Sequence, residues 1–338
     1  GNNQYDNAFN TNLTDTNSNR EQIWKFSLAS DDQINESWHS KLQLANGVDQ
    51  YRDFLNDQPN PYGSLFQTSS DQLSWQNALR LDDSQQLLLG AEALRQTVSS
   101  DLNPGYLQNT RQINSLFAGY TGNYGAHQMQ LNLRQDNNSQ YGGDTTGLLG
   151  YGYALADAWR GTASYSTAFR APTFNELYWP NTGNSGGNPA LKPERSRNLE
   201  AGLHYAKGVQ QFDAVYFDNQ VRDLINWVLV DPVNYVYQVQ NVDRARMNGF
   251  EFSYADRFGD TGVKAALTEQ NQRDDNTGVQ LDRRAKLHTS LGVTQQLGVW
   301  QVGGEWLYSG TRPDASNTRT LAAYNVLNVT AGYAISKD

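Results

Sequence analysis

The chain has 338 residues and lacks both cysteine and any long apolar segment, and each absence narrows its class. Without thiols it can form neither a disulfide framework nor a thiolate metal site. No run of about 18 or more apolar residues occurs, so a membrane-spanning helix is excluded. Basic residues are in the minority, because 26 Lys and Arg stand against 35 Asp and Glu and leave a net charge of -9. No nucleic-acid partner is expected, since binding one requires a basic face.

Catalytic motifs are scarce as well. The four histidines lie far apart in sequence and form no pair at metal-ligand spacing: His39, His127, His204 and His288. Neither a Gly-x-Ser-x-Gly elbow nor a phosphate-binding loop is present. We therefore predict that the protein is not an enzyme and has no catalytic residue. An enzyme with a Ser/His or Asp/His site assembled across strands stays open as an alternative.

The dominant positive feature is a two-residue alternation of apolar and polar side chains. It is clearest at 300–309, where apolar and aromatic residues occupy every second position and mostly polar residues lie between them. Such a period belongs to β-strands whose two faces meet different surroundings. The pattern predicts about 15 strands, at 20–30, 37–49, 67–82, 85–98, 111–122, 126–135, 144–155, 159–169, 195–206, 210–221, 244–257, 262–272, 282–296, 298–309 and 323–335.

The connections between these segments alternate between tight turns and long polar loops. Turns are predicted near 31–36, 83, 123–125, 157, 207–208, 259–260 and 298, and loops near 50–66, 99–110, 136–143, 170–194, 222–243, 273–281 and 310–322. Transmembrane barrels have this rhythm, with short periplasmic turns and long extracellular loops. We predict an all-β, transmembrane antiparallel β-barrel. A soluble sandwich, propeller or solenoid is the alternative, but such folds have no reason to keep the rhythm.

The aromatic content agrees with a membrane barrel. The chain has 19 Tyr, 12 Phe and 8 Trp, and Phe250, Phe252 and Tyr254 share one face of a predicted strand. Tyr151 and Tyr153 alternate with glycine in another strand. Tyr and Trp favour the headgroup level of a bilayer, so we predict that these residues form girdles. The mean hydropathy of -0.71 is compatible with this fold, because half of each strand faces water.

The odd number of predicted strands suggests that the barrel is incomplete. Bacterial barrels have an even number of strands, because an open edge in hydrocarbon would leave backbone groups unpaired. The sequence also begins at Gly1 and shows no signal peptide. We expect residues 1–338 to be a partial barrel domain, with terminal strands missing and any domain N-terminal to the barrel absent from this chain.

Charged motifs near the ends of the predicted strands resemble a known family. They are 134–142 (RQDNNSQYG), 170–178 (RAPTFNELY), 188–196 (NPALKPERS), 200–202 (EAG), 241–251 (NVDRARMNGFE) and 281–286 (LDRRAK). In this order and spacing they are similar to consecutive motifs in the β-barrel of TonB-dependent outer-membrane receptors. The resemblance assigns wall or rim positions to eleven residues: Arg170, Pro172, Glu176, Asn188, Pro193, Glu194, Glu200, Arg244, Gly249, Glu251 and Arg284.

The acidic motif residues alternate with outward apolar positions and are expected to face the lumen: Glu194, Glu200 and Glu251. Four arginines are available as partners: Arg170, Arg195, Arg244 and Arg284. We predict structural ion pairs between neighbouring strands, each of small stabilising effect where water reaches it. The resemblance implies an alternative, in which these groups hold the plug domain that the family places inside the barrel.

The resemblance also implies a fold and a function. The fold would be a barrel of about 22 strands around a plug, a monomer in outer-membrane lipid, driven by TonB through an N-terminal region that this chain lacks. Within the family, segments 5–7, 136–142, 283–286 and 310–314 are most similar to those of cobalamin (vitamin B12) receptors. Cobalamin is therefore the expected ligand, captured by extracellular loops whose contact residues the sequence does not identify. A siderophore or haem receptor and a passive general porin are the alternatives.

Calcium is the one cofactor that the resemblance adds. In cobalamin receptors it orders substrate-binding loops through clustered Asp carboxylates, which are the hard oxygen ligands that calcium prefers. Asp6 is the position carried over for this role, while the 10–15 and 62–71 segments depart from the denser acidic pattern of the family. A solvated loop position for Asp6 and Asp15 is the alternative.

Overall fold

The structure is a computed structural model and describes residues 2–5, 16–61, 64–181, 183, 185–314 and 318–335. The described chain is almost entirely β-strand, with one short helix, α1 (Phe174–Tyr178). The strands are β1 (Asn2–Tyr5), β2 (Asn17–Asn35), β3 (Trp38–Leu55), β4 (Gln58–Pro59), β5 (Leu65–Arg80), β6 (Gln85–Ser100), β7 (Thr110–Tyr124), β8 (His127–Asn138), β9 (Gly142–Ala156), β10 (Trp159–Arg170), β11 (Ser185–Gly186), β12 (Glu194–Lys207), β13 (Gln210–Asp231), β14 (Val236–Phe258), β15 (Thr261–Asp274), β16 (Leu287–Leu297), β17 (Trp300–Ser309), β18 (Arg312–Asp314), β19 (Arg319–Leu321) and β20 (Tyr324–Tyr333). Within the described ranges, no helix has the length and apolar character needed to span a bilayer.

Eighteen of the strands belong to one sheet, and its long strands form an antiparallel meander. Each long strand pairs with the next along the chain, in the order β2, β3, β5 to β10, β12 to β17 and β20. β1 extends the sheet beyond β2, and β18 pairs with β19 in a separate hairpin. Over the described residues no pairing joins β1 to β20, so the two edges of the sheet stay unlinked.

The meander confirms the predicted all-β fold strand by strand, since each of the 15 long strands overlaps one predicted segment. The largest departure is at 222–243, which was expected to be a loop. β13 and β14 continue through it as a two-stranded ribbon, with Trp227 opposite Val239 and Leu229 opposite Tyr237. Aromatic and branched side chains favour such cross-strand pairs, so the actual connection shrinks to 232–235.

Two other predicted boundaries are wrong for local reasons. Residues 282–286 were expected to begin a strand, but Arg283 has a φ of 60°, outside the strand region, and β16 begins only at Leu287. The Arg283 N–H instead donates to the Pro313 carbonyl at 2.7 Å. The turn expected over 31–36 is also shorter, because β2 stays paired with β3 up to Asn35 opposite Trp38.

The register separates an apolar face from a polar face of the sheet. One continuous row runs Tyr151, Ala163, Ala201, Tyr216 and Phe250 across five strands. Half of the Leu199 side chain and 47% of Phe250 are exposed on this face. A soluble sandwich would bury so large an apolar surface, whereas lipid covers it in a membrane barrel.

The opposite face is polar, as predicted for a lumen. His204 lies on it and bonds Asp213 at 2.7 Å through Nδ1 and the Thr162 hydroxyl at 2.9 Å through Nε2. Ser253 donates to the same Asp213 carboxylate at 2.8 Å. These contacts satisfy the histidine from neighbouring strands, which is a structural arrangement rather than a metal site.

Candidate functional site at the loop end of the barrel

The segment between β10 and β12, residues 171–193, carries most of the 170–178 and 188–196 motifs, and its first element is a capped helix. The Glu176 N–H donates to the Thr173 hydroxyl at 3.1 Å, and the Thr173 N–H donates to the Glu176 carboxylate at 2.7 Å. This reciprocal pair is a capping box, and the spacing Thr-x-x-Glu encodes it directly. The box starts α1 at a fixed place and turns Glu176 back toward β10.

Arg170 joins the start of this loop to its end. Its guanidinium donates to both Glu194 oxygens at 2.6 and 2.7 Å and to both Glu176 oxygens at 3.1 and 3.2 Å. Glu194 is only 8% exposed and also accepts the Ile225 N–H at 2.9 Å. Burial acts to raise the pKa of Glu194, but the bonds from Arg170 and Ile225 outweigh it and hold that pKa below its ordinary value.

The loop then crosses to strands that are not its neighbours in the sheet. Arg111, at the start of β7, donates to the Pro172 carbonyl at 2.8 Å and lies 4.8 Å over the Phe174 ring. Trp179 stacks on Phe66 of β5, with ring centroids 5.7 Å apart. By the register, Arg111 and Phe66 lie on the polar face. The loop therefore covers part of the lumen side, at the end of the barrel where the loops are long.

A small hydrophobic core fixes the loop in this position. Its buried members are Val98, Phe174, Leu177, Tyr178, Leu191 and Val239, with Tyr106 and Ile225 packed against them. Burial raises the pKa of Tyr106 to about 12, so its hydroxyl stays protonated and donates to the Asn175 side chain. A core at a loop, and not beneath the sheet, indicates that this loop is built to hold one shape.

The 188–196 motif attaches the far side of the loop to β14. Asn188 donates through its side chain to the Val239 carbonyl at 2.9 Å, and its N–H donates to the Glu176 carbonyl at 2.8 Å. Asn241 bonds the backbone N–H and carbonyl of Lys192, both at 2.9 Å. Pro172 and Pro193 are buried where the loop leaves β10 and enters β12, where a missing N–H costs little.

The structure thus brings six of the eleven motif residues together and leaves five dispersed. Glu200 lies on the polar face and accepts from Asn198 at 2.6 Å, while Glu251 on the same face makes no ion pair among the described residues. Arg244 is exposed, and Arg284 approaches the Met247 sulfur at 3.7 Å. Gly249 is buried between β14 and β15, where an added Cβ would lie 2.0 Å from the Glu269 carbonyl oxygen.

Of the four arginines expected to pair with Glu194, Glu200 or Glu251, Arg170 alone does so among the described contacts. Arg195 instead pairs with Asp144 at 2.5 Å, and its position in β12 alternates with that of Glu194. This misassignment is a matter of parity: adjacent strand residues point to opposite sides of a sheet. In the register Glu194 lies opposite Arg170, whereas Arg195 lies opposite Phe169, so Glu194 pairs with Arg170 and not with Arg195.

A second polar network in the lumen was not predicted. Arg134 donates to Glu92 at 2.9 Å, to Asp136 at 2.9 Å and to the Ser115 hydroxyl at 2.8 Å. Arg134 and Asp136 are two residues apart in β8, so the alternation places them on one face, and that signal was available in the sequence. Their partners on β6 and β7 carry no comparable signal.

No metal centre is evident in the described part of the chain, where no three His, Cys, Asp or Glu residues lie together in a way that could hold an ion. Asp6 and Asp15, the positions considered for calcium, lie outside the described residues. Calcium binding therefore stays a prediction from the resemblance.

Comparison with known proteins identifies the family. The sequence model described as "TonB dependent receptor-like, beta-barrel" matches residues 1–338, the whole chain. The protein belongs to this family. The meander is accordingly that of a transmembrane antiparallel receptor barrel, in a family of transport receptors that bind large ligands such as cobalamin or siderophores and interact with TonB.

Curated relatives carry the name vitamin B12 transporter BtuB. One from Photobacterium profundum is 29% identical over 307 residues, which cover 90% of this chain and 49% of the relative. Another, from Vibrio vulnificus, is 31% identical over 208 residues, which cover 62% of this chain and 33% of the relative. The chain therefore spans about half or less of the length of these relatives.

Solved structures share the fold at lower identity. The siderophore receptor PirA from Acinetobacter baumannii aligns with a TM-score of 0.78 at 16% identity, over 95% of this chain and 57% of that one. A mutant of the ferric enterobactin receptor PfeA from Pseudomonas aeruginosa aligns with a TM-score of 0.78 at 18% identity, over 95% and 55%. The copper transporter OprC aligns with a TM-score of 0.75 at 16% identity, over 96% and 62%. Names this varied mean that the shared fold does not specify a substrate.

Proposed function

We propose that this chain forms part of the wall and extracellular mouth of an outer-membrane, TonB-dependent transporter that imports cobalamin. The observation that carries the proposal is the braced loop 171–193, which lies over the lumen side of a receptor barrel. A receptor that captures a scarce ligand benefits from a preformed surface, because less ordering is needed when the ligand binds. The names of the sequence relatives support cobalamin as the ligand.

Part of this surface is aromatic and accessible. Trp179 is partly exposed, stacks on Phe66 and meets the Tyr106 ring edge-on at a centroid distance of 6.3 Å. Rigid aromatic rings offer a large contact area at low conformational-entropy cost. We propose that this cluster contributes to ligand capture, together with loops of the full-length protein.

The test is cobalamin binding and uptake by cells that express the full-length receptor and lack any other cobalamin transporter. We expect Trp179→Ala to weaken binding of radiolabelled cobalamin about tenfold, because one aromatic contact and its stacking partner are lost. Val299→Ala, in the hairpin turn at the opposite end of the barrel, is the matched control and should bind normally. Uptake, but not surface binding, should require TonB.

Two results would contradict the proposal in different ways. Uptake of a ferric siderophore without any cobalamin binding would refute the substrate and keep the transport class. Cobalamin influx that is proportional to its external concentration and independent of TonB would refute energy-coupled transport itself.

A further inference from the structure

One lumen-facing arginine at the mouth has no acidic partner in the described part of the chain. Arg134 and Arg170, on the same face of the sheet, each pair with two carboxylates. Arg111 makes no ion pair with any described residue. It donates instead to neutral oxygens, those of the Gln96 side chain at 2.7 Å and the Pro172 carbonyl at 2.8 Å. Among these three arginines, Arg111 alone keeps a charge that no acid balances.

The guanidinium of Arg111 is also partly removed from water. The residue is partly buried, and its guanidinium carbon lies 4.8 Å from the centre of the Phe174 ring. Burial makes an unbalanced charge more costly, because solvent no longer stabilises it fully. Its Nη2 group donates to no described residue, so part of the donor fork stays available. An anion bound from outside the described chain would supply the missing charge compensation.

Two tyrosine hydroxyls adjoin this guanidinium. Tyr141 and Tyr178 both interact electrostatically with Arg111. Burial raises the pKa of both tyrosines by more than Arg111 lowers it, so both hydroxyls stay protonated and able to donate. The Asn138 side chain lies close to Tyr141, yet neither the Tyr141 hydroxyl nor Asn138 Nδ2 has a hydrogen-bond partner among the described residues. The surroundings of Arg111 thus add donors rather than a counter-ion.

The acids that act on Tyr141 are engaged by other arginines. Asp136 pairs with Arg134 at 2.9 Å. Asp144 pairs with Arg195 at 2.5 Å. The guanidinium and the two hydroxyls therefore form an electropositive group, of the kind that matches the oxygens of a phosphate or carboxylate.

The position of this group connects it with the aromatic cluster of the mouth. Phe174, which lies against Arg111, belongs to the buried core on which Tyr106 packs. Tyr106 in turn meets Trp179 edge-on. A ligand that lays its ring system against Trp179 can therefore direct an anionic substituent toward Arg111.

We propose that Arg111 binds the phosphodiester of the transported cobalamin, with Tyr178 as a neighbouring donor. The phosphodiester is the anionic group of the nucleotide arm of cobalamin, whereas the side chains around its corrin ring are neutral amides. The inference rests on the proposed function, because it takes cobalamin as the ligand. An acidic side chain from a segment outside this chain is the competing source of the anion, and the experiment separates the two.

The test compares three ligands on the full-length receptor. They are cobalamin, cobinamide, which lacks the nucleotide and its phosphate, and cobinamide phosphate, which keeps a phosphate but lacks the base. We expect the parent to bind cobinamide phosphate about tenfold or more tightly than cobinamide, and Arg111→Met to bind the two alike. Since Arg111 also bonds Pro172, a loosened loop would weaken all three ligands by the same factor and leave the ratio unchanged.

The matched control is Arg160→Met. Arg160 lies opposite His204 on the lumen face, near the other end of the barrel, so its loss removes the same charge away from the mouth. This variant should keep the parent's preference for cobinamide phosphate over cobinamide.

Four outcomes would overturn the inference. Equal binding of cobinamide and cobinamide phosphate by the parent would refute phosphate recognition and leave cobalamin transport standing. A preference that survives in Arg111→Met would place the phosphate elsewhere. An equal loss for all three ligands in Arg111→Met would assign Arg111 to the structure or to an acid of another segment. Failure of the parent to bind any of the three would refute the proposed function, and the inference with it.

Discussion

Removing the guanidinium of Arg170 should loosen the mouth loop without unfolding the barrel. In Arg170→Met, Glu194 keeps the Ile225 N–H but loses both short bonds to its counter-ion. Breaking a fully buried pair costs about 3 kcal/mol or more. The Arg170 side chain is 43% exposed, and water screens its interaction with Glu194. We therefore expect the substitution to destabilise the closed loop by about 2 kcal/mol. At 1.4 kcal/mol per factor of ten, the population of the open loop rises about 30-fold.

Hydrogen exchange of the full-length receptor measures this opening. The Leu177, Gly187 and Asn188 amides are bonded only within the loop, to Thr173, Trp179 and Glu176 carbonyls, so their exchange should accelerate about 30-fold while β-strand amides stay protected.

The matched control is Arg284→Met, which removes an exposed guanidinium near a sulfur and should leave the loop unchanged. Adding Glu194→Gln to Arg170→Met should recover part of the protection, because the buried charge is then gone. An acceleration below about threefold in Arg170→Met would refute the assignment of Arg170 as the brace of the loop.

The same brace predicts a pH dependence. Because the pKa of Glu194 is held below its ordinary value of 4.5, its contribution is complete above that value and is lost as the pH falls through the lowered pKa. Loop amides of the parent should therefore open more often in acid, and the Arg170→Met variant should lose most of this dependence. Parallel pH profiles for the two proteins would contradict the linkage.

Three further predictions concern other parts of the chain. Gly249→Ala places a Cβ 2.0 Å from a β15 carbonyl oxygen and should destabilise the folded barrel by about 1–3 kcal/mol in a heat-modifiability or urea assay. Gly304→Ala is the control and should not destabilise it, because nothing lies within 4 Å of the added Cβ. Equal effects of the two substitutions would refute the clash. Burial acts to raise the pKa of Asp101, but hydrogen bonds from Ser64 and Leu65 lower that pKa overall. Asp101→Asn should therefore accelerate hydrogen exchange of the Ser64 amide at neutral pH, and should change that exchange little in acid, where the parent carboxylate is protonated. Glu251→Ala should leave ligand binding at the cell surface intact, because Glu251 lies on the lumen face of β14 away from the mouth loop; abolished binding would contradict that placement.

The strand layout could be predicted from the sequence because its cause is local. A period-two alternation forces one face of each strand toward an apolar surrounding, and tight turns limit which strands can pair. The 15 long strands follow from this rule. The largest error arose in the β13–β14 ribbon, where residues 224–230 (LINWVLV) are mostly apolar but do not alternate with polar residues, and where cross-strand partners sustained the pairing.

The capping box of α1 was equally encoded in Thr173 and Glu176, three residues apart. The destination of the loop was not encoded in this way. Arg111 and Pro172 are 61 positions apart, and Tyr106 and Asn175 are 69 apart, and no periodicity relates such pairs.

The sequence by itself determined the all-β class, the order of the strands, the faces of each strand and the family motifs, since these depend on neighbours within a few residues. The tertiary structure decided which motif residues meet, that Arg170 pairs with Glu194 and Arg195 with Asp144, and where loop 171–193 packs. Those outcomes depend on the curvature of the sheet and on packing between distant segments, which are fixed only when the whole meander has formed.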